Sequence, residues 1–279
     1  RDLVRSRGLG DVYKRQLVST TALSACLLAL SCHGQSSTQS QAASTHIDST
    51  TLRGDTLELI FAGDIMTHGP QIRAAAQSDG SYDFSQSFGL VHPAIERADL
   101  AIGNLETTFG GKPYSGYPMF SSPEALAVAL REAGFDVLTT SNNHSCDRRG
   151  YGITHTIDVL DSLGIATTGS YRNLSERPAR TPLIQSVRGI KLAILAYTYG
   201  TNGLPIPHPT VIDTISKEHI AADLRRADSL GAEYKIVQIH WGNEYEKSPN
   251  RAQRELAQWL ADQGVDAVIG SHPHVVQES

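Results

Sequence analysis

Five apolar segments of the chain each end in a short polar run. The segments are rich in β-branched and aliphatic residues, which predicts buried strands, and the polar runs supply Asp, Asn, Glu or His. The predicted strands are residues 57–62, 100–103, 136–141, 235–239 and 265–269. Because ligands bind at the carboxyl ends of strands in open α/β sheets, the pattern indicates one functional site at these strand ends.

Amphipathic helical patterns separate the predicted strands. A helix is predicted over residues 123–133, with Ser122 as its N-cap, and another is predicted after Asn250, which would cap it. Further helical faces are formed by Ile153, Ile157 and Leu160, and by Ile220, Leu224 and Ala227. Residues 183–187 and 191–197 flank a turn and predict a hairpin. Repeated strand–helix units with one hairpin predict a layered α/β domain.

Composition excludes several classes of protein. The 279-residue chain is 40% hydrophobic, which is enough for a large core, and its net charge is −5. No basic cluster occurs in the globular part, so nucleic acid is not expected as a partner. The cysteines are Cys26, Cys32 and Cys146. Only the last lies in the domain, which excludes a disulfide framework and a cysteine-rich zinc site.

The N-terminal part divides into three segments before the domain at residues 57–279. Residues 1–16 resemble translated library or adaptor sequence, which is not expected to form part of the fold. Residues 17–32 predict a signal peptide with a lipobox, because a short apolar run ends in Ala29-Leu30-Ser31-Cys32. Lipidation at Cys26 and a plain cleaved signal are the alternatives. Residues 33–56 predict a flexible linker, so we expect an extracytoplasmic bacterial lipoprotein anchored to the membrane.

The polar strand ends contain a set of candidate metal ligands. Mixed carboxylate, amide and imidazole ligands suit Mn, Fe or Zn rather than calcium, and two such ions could share a carboxylate and activate a water. The candidates are Asp64, Glu106, Asn143, His240, His272 and His274. His-Pro-His places two imidazoles two residues apart on a rigid turn, and in an extended segment both could point the same way. His144, beside Asn143, is predicted to protonate a leaving oxygen as a general acid.

Four more polar residues could support the site without binding the metal. Asp147 could orient His144 or shape the turn that follows it, and Glu244 could line the pocket. Asn104 lies just before Glu106, and His68 lies four residues after Asp64, where helix capping or solvent exposure would also explain it. Each candidate ligand also has an ordinary explanation, such as a turn-forming Asp. The position shared by all of them favours a site.

Several ordered motifs resemble the CapA family, the poly-γ-glutamate capsule synthesis proteins. They are Phe-Ala-Gly-Asp-Ile-Met at 61–66, Gly-Asn-Leu-Glu at 103–106, Ser-Asn-Asn-His-Ser-Cys-Asp at 141–147, His-Trp-Gly-Asn-Glu-Tyr at 240–245 and Gly-Ser-His-Pro-His-Val at 270–275. That family is similar to calcineurin-like metallophosphoesterases. The resemblance implies a four-layer α/β/β/α sandwich with two metals, in which Asp64 is the first-motif aspartate and Glu106 the bridging carboxylate.

The chain departs from the metallophosphoesterase pattern at two positions. Met66 stands where the first motif has His, and Glu106 replaces an Asp, which implies weaker binding of one metal. The family also continues beyond its His-Pro-His motif into a further strand, so we expect the domain to be incomplete at its C-terminus.

The resemblance implies a cell-envelope protein of capsule or poly-γ-glutamate biosynthesis that acts as a two-metal hydrolase of phosphoester type. The alternative is a non-catalytic metal-binding subunit that supports synthesis or export of an anionic polymer. The expected partners are the membrane, reached through the lipid anchor, an anionic polymer or phosphoester substrate, and capsule-synthesis membrane proteins.

Overall fold

A computed structural model describes residues 56–278 of the chain. These residues belong to one compact unit, Leu52–Ser279. The predicted adaptor segment, the signal peptide with Cys32 and nearly all of the predicted linker lie outside the described residues. Within residues 56–278, no helix combines the length and the hydrophobicity needed to cross a membrane.

Two four-stranded sheets form the centre of the domain. The first has the order β1-β2-β3-β4 and is parallel throughout. The second has the order β10-β9-β7-β6, in which only β6 runs antiparallel to its neighbour. A two-stranded sheet pairs β5 with β8. The strands are β1 Leu59–Ile65, β2 Leu100–Leu105, β3 Val137–Thr139, β4 Ala166–Thr168, β5 Ser170–Tyr171, β6 Leu183–Val187, β7 Ile190–Thr198, β8 Val211–Ile212, β9 Tyr234–His240 and β10 Ala267–Ser271.

Helices connect most of these strands. In the described part of the chain they are α1 Gly69–Ala75, α2 Ser85–Phe88, α3 His92–Arg97, α4 Ala125–Ala133, α5 Arg149–Ser162, α6 Arg177–Arg180, α7 Lys217–Ser229 and α8 Arg251–Asp262. The hairpin prediction is confirmed, because β6 and β7 pair in antiparallel register through Arg188-Gly189.

Three hydrophobic clusters define four layers. Leu192 and Ile194 of β7 pack between the sheets against Leu100 and Ile102 of β2. The alternate residues of β7 face the other way and pack on α7 and α8, as the period of two along a strand requires. A third cluster packs α4 and α5 on the outer face of the first sheet. The layers therefore run α/β/β/α, which confirms the predicted sandwich.

Two helix starts test the capping predictions. Asn250 caps α8 in a capping box with Gln253, as predicted. The cap predicted at Ser122 is wrong, because α4 begins at Ala125 with Glu124 in the N-cap position. The Ser122 hydroxyl instead hydrogen-bonds to Thr67 and Thr107 in the loops beside it. The Ser122 side chain therefore makes tertiary contacts and does not cap the helix.

Candidate metal centre

The carboxyl ends of both sheets bring the six candidate ligands together. One group with ligand atoms within 4.8 Å of one another contains Asp64, Glu106 and His240, and the other contains Glu106, His272 and His274. Glu106 therefore belongs to both groups. Their role as ligands stays a prediction, but the convergence expected from the strand-end pattern is present.

Short distances connect the two sheets across the site. The Asp64 carboxylate lies 2.8 Å from His274 Nδ1 and 3.7 Å from His240 Nδ1. Glu106 Oε1 lies 3.5 Å from His240 Nε2 and 4.0 Å from His274 Nε2. Asn143 Oδ1 lies 2.8 Å from His240 Nε2. Ligands at these separations could surround ions that bind at about 2 Å from each donor.

Backbone irregularities aim two of these segments at the site. A register shift between Ala62 and Asp64 places a bulge in β1, and bulges of this kind re-aim side chains beside functional sites. The His-Pro-His segment is not extended, since His272 and His274 have φ of 94° and 54°. Such left-handed conformations are strained for non-glycine residues and concentrate at functional sites. Both imidazoles nevertheless reach Glu106.

Glu106 is completely buried and lacks a normal partner. Neither of its oxygens makes a hydrogen bond of good geometry to any residue in 56–278. Burial, with the nearby Asp64 charge, raises the pKa of Glu106 to about 9. His272 Nδ1 is similarly buried without a partner in the described residues. Orphaned buried polar atoms demand an explanation, and a divalent cation between them supplies one. The residues present therefore fit a metal.

The imidazoles have the protonation states that ligation requires. Burial lowers the pKa of His240 to about 3 and, together with the His240 charge, that of His272 to about 4. Both rings are therefore neutral at pH 7, the form that binds metals. The hydrogen bond to Asp64 raises the pKa of His274. Burial opposes ionisation of Asp64, but the His274 hydrogen bond and the His240 charge hold its pKa well below the usual value.

His144 lies beside this cluster and outside both ligand groups. Its Nδ1 lies 2.7 Å from Asp147 Oδ2, and both side chains are buried. The same carboxylate oxygen accepts a hydrogen bond from the Phe120 backbone N–H, and the Phe120 ring packs edge-on against His144. This arrangement fixes the imidazole and leaves Nε2 as the nitrogen available to a substrate. The geometry is that of a proton donor held by a carboxylate.

The remaining supporting candidates have different surroundings. Asn104 Nδ2 donates to Asp64 Oδ1 at 2.8 Å and lies 3.1 Å from His240 Nδ1, so this amide contacts two candidate ligands. His68 is exposed and packs on Phe120, with ring centroids 5.1 Å apart. His68 and Glu244 both line an open cavity of about 1650 Å³ that also contains Asp64, His144, His272 and His274.

Sequence reasoning missed Tyr199 and Asn202. Tyr199 follows β7, and its ring centroid lies 4.8 Å from that of His272. Asn202 accepts a hydrogen bond from the Asn143 side chain. The available signal was the end of β7, where polar residues follow a buried strand as they do at the other strands of the site.

The fold and the site together define a layered α/β protein with a candidate centre for divalent metals at the carboxyl ends of two sheets. The model of the family described as "Bacterial capsule synthesis protein PGA_cap" matches residues 58–279, and the chain belongs to this family. The resemblance found in the motifs is thereby confirmed.

Two curated relatives carry the CapA name. The capsule biosynthesis protein CapA of Bacillus anthracis is 27% identical over an alignment of 238 residues, and the match covers 79% of this chain and 55% of that protein. The PGA biosynthesis protein CapA of Bacillus subtilis (strain 168) is 29% identical over an alignment of 243 residues, and the match covers 81% of this chain and 60% of that protein. The matched region thus spans little more than half the length of these relatives.

A solved structure, the NAD nucleotidase NadN of Haemophilus influenzae, is also similar in part. It aligns with a TM-score of 0.39 and 16% identity, covering 60% of this chain and 34% of that one. A similarity this low indicates nothing about the site, and the α/β/β/α layers are visible in the sheets and helices of the chain itself.

Proposed function

We propose that the chain is a cell-envelope protein of capsule or poly-γ-glutamate biosynthesis that acts as a two-metal hydrolase of phosphoester type. The observation that carries the proposal is the buried carboxylate of Glu106, which lacks a normal partner in the described residues and is shared by two groups of ligand atoms. A carboxylate in that position is suited to bridge two divalent ions of Mn, Fe or Zn.

The chain supplies a nearly complete set of candidate ligands for such a centre. Glu106 lies with Asp64 and His240 in one group and with His272 and His274 in the other. The Asn143 amide oxygen adds a sixth candidate ligand, 2.8 Å from His240 Nε2. When bound, the ions would polarise a phosphoryl oxygen and make water acidic enough to serve as a nucleophile. Asn104 holds the Asp64 carboxylate in place through its amide N–H.

His144 provides the proton that the reaction needs. As the phosphorus–oxygen bond to the leaving group breaks, the leaving oxygen takes the proton from His144 Nε2. Asp147 Oδ2 lies 2.7 Å from His144 Nδ1 and keeps the ring oriented. The ring is fixed on a second side by Phe120, so little reorientation is required during the transfer.

Replacing His144 by Ala tests this role. We expect metal content to be retained, because His144 lies outside both ligand groups. Turnover of a phosphodiester with a poor leaving group should fall by about 10²- to 10⁴-fold. The loss should be much smaller with a nitrophenolate leaving group, which barely needs protonation. His155→Ala is the matched control, since His155 hydrogen-bonds to Glu124 at the surface.

Two outcomes contradict the proposal. Loss of metal in His144→Ala would make His144 a ligand. A wild-type protein that holds metal yet hydrolyses neither ester would favour the alternative, a non-catalytic metal-binding subunit that supports synthesis or export of an anionic polymer. One observation already favours that alternative. Met66, which lines the cavity, offers a thioether where metallophosphoesterases have an imidazole, so the Asp64 side of the centre has one nitrogen ligand fewer.

The proposal places the protein outside the cytoplasm, anchored to the bacterial membrane through lipid on Cys32. It is supported by the apolar run and the Ala-Leu-Ser-Cys sequence at residues 29–32. The proposed partners are capsule-synthesis membrane proteins and an anionic polymer or phosphoester. Labelled palmitate should enter the protein in a bacterial host and be lost in Cys32→Ser. Label lost in Cys26→Ser instead would move the site, and no label at all would refute the anchor.

A further inference from the structure

The loop that follows β7, residues 199–204, is fastened to the candidate metal centre. The Tyr199 backbone N–H donates to the His240 carbonyl oxygen at 3.0 Å, so the loop begins beside a candidate ligand of the neighbouring strand. Thr201 closes the loop on itself by donating from its hydroxyl to the Leu204 carbonyl oxygen at 2.6 Å and accepting at its own carbonyl from the Leu204 N–H. Asn202 adopts a left-handed backbone conformation, with φ of 50°, and its side chain contacts Asn143.

Tyr199 covers two of the candidate imidazole ligands. Its ring is nearly parallel to the His240 ring, at 9° with centroids 6.3 Å apart, and lies 4.8 Å from the His272 ring. The side chain is half-exposed, with its ring over the histidines. Its hydroxyl donates a hydrogen bond to the amide oxygen of Asn202.

The Asn143 amide can bind a cation only if its oxygen, and not its NH₂ group, faces the centre. Only the oxygen of an Asn side chain can bind a cation, while the NH₂ end must find an acceptor elsewhere. Asn143 Oδ1 points to the centre, 2.8 Å from His240 Nε2. Its Nδ2 donates to Asn202 Oδ1 at 3.3 Å. Tyr199 donates to that same Asn202 oxygen at 3.4 Å, which fixes the orientation of the Asn202 amide in turn.

We propose that Asn202, assisted by Tyr199, positions Asn143 so that the Asn143 amide oxygen faces a divalent cation. Asn143 comes from the first sheet and His240 from the second, and the loop connects them from the end of β7. Asn202 and Tyr199 are positioning residues that act through Asn143 and the imidazoles. The inference rests on the metal centre of the proposed function and is independent of whether that centre hydrolyses anything.

Metal affinity is the measurement that tests this role. The dissociation constant for Mn²⁺ is measured by isothermal titration calorimetry on the full chain after removal of metal with a chelator. Asn202→Ala removes the acceptor and should weaken Mn²⁺ binding by roughly 10- to 100-fold, the usual cost of losing a support of a metal ligand. Asn202→Asp keeps an acceptor oxygen and should bind Mn²⁺ at least as tightly as the wild type. Tyr199→Phe keeps the ring and should lose about threefold.

A double-mutant cycle separates positioning from a general effect on the fold. If Asn202 acts through Asn143, Asn202→Ala should not weaken Mn²⁺ binding further once Asn143→Ala is present. Equal weakening in both backgrounds would overturn the proposal, as would failure of Asn202→Asp to restore affinity. Asn173→Ala is the matched control, because Asn173 hydrogen-bonds only within its own turn, to Ser175 and Glu176, among the contacts described.

The Mn²⁺ affinities test the positioning role separately from the proposed hydrolase activity. A wild-type chain that binds Mn²⁺ but cleaves no ester leaves the predicted affinities unchanged and refutes only the catalytic activity. A wild-type chain that binds no Mn²⁺ overturns this inference, and so does an Asn202→Ala variant with wild-type affinity.

Discussion

Two clusters of buried charge lie in the same sandwich and are built in opposite ways. In the first, Arg177 donates to Asp213 at 2.7 Å and to Asp223 at 2.5 Å. Tyr171 and Tyr197 each donate to one of these carboxylates, so both carboxylates contact the guanidinium and a tyrosine hydroxyl. In the second, at the strand ends, Glu106 is fully buried and its oxygens lack a normal hydrogen-bond partner among the described residues.

The difference distinguishes a structural cluster from a ligand site. Burying charge is costly unless the charges are paired and hydrogen-bonded. The Arg177 cluster meets that condition with its own side chains and needs nothing from outside. The strand-end cluster combines two carboxylates with imidazoles, two of which burial keeps neutral. The strand-end cluster therefore destabilises the metal-free fold, and a bound cation would remove that destabilisation. Functional sites often contain such perturbed groups.

The largest expected effect comes from breaking the paired cluster. Arg177→Met removes the only cation contacting Asp213 and Asp223 among the described ion pairs. The two buried carboxylates should then destabilise the fold by about 3–5 kcal/mol, measured by urea unfolding in the presence of a chelator. Arg251→Met is the control, because its pair with Glu255 is exposed and should change stability by less than about 1 kcal/mol. Similar effects of both substitutions would erase the contrast.

The second prediction is that replacing Glu106 by Gln stabilises the metal-free fold. Without metal, Glu106 has a pKa of about 9 in the folded chain against an ordinary value of 4.5. Protons therefore bind more tightly to the folded state, and its stability falls as pH rises from about 4.5 to about 9. Glu106→Gln abolishes that decline. At pH 7 the variant should be more stable than the chelated wild type by up to about 3 kcal/mol, at about 1.4 kcal/mol per pH unit.

Thermal unfolding at several pH values checks this effect. The stability difference between Glu106→Gln and the chelated wild type should grow from pH 5 to pH 8 and vanish near pH 4. A variant less stable than the chelated wild type at pH 7 would mean that the Glu106 carboxylate is already paired within the protein. The contrast between the two clusters would then be wrong.

The smallest effect concerns the departure at Met66. Met66→His offers an imidazole near Asp64, and imidazole binds Mn, Fe and Zn better than a thioether does. We expect binding of the weaker of the two ions to tighten by about tenfold, or about 1.4 kcal/mol, with the tighter ion unaffected. Calorimetric titration with Mn²⁺ separates the two events. Unchanged binding of both ions would show that residue 66 does not face the centre.

Much of the site could be predicted because each motif carries its own chemistry. Asp64, Glu106 and His240 were identifiable as polar residues at strand ends, and parallel strands bring such ends to one edge. Partnerships between distant residues could not be predicted in this way. Arg177 pairs with carboxylates 36 and 46 positions away, and Asn143 with an amide 59 positions away. Those contacts depend on how the two sheets and their loops stack, which no local pattern encodes.

The same reason accounts for the errors in local structure. The Ser122 cap failed because its hydroxyl found partners in Thr67 and Thr107. The left-handed conformations of His272 and His274 could not be predicted either, because the surrounding structure imposes such strain. The layers, in contrast, followed from alternating and helical hydrophobic patterns, which encode burial directly.

Metal stoichiometry tests the central claim most directly, namely that the unpaired strand-end cluster is a centre for divalent ions. The full chain is loaded with Mn²⁺ or Zn²⁺, dialysed, and analysed by inductively coupled plasma mass spectrometry beside Glu106→Gln and Arg177→Met. We predict up to two ions per wild-type chain, almost none in Glu106→Gln, and wild-type content in the folded fraction of Arg177→Met. Metal-free wild type, or equal metal in Glu106→Gln, would contradict the account.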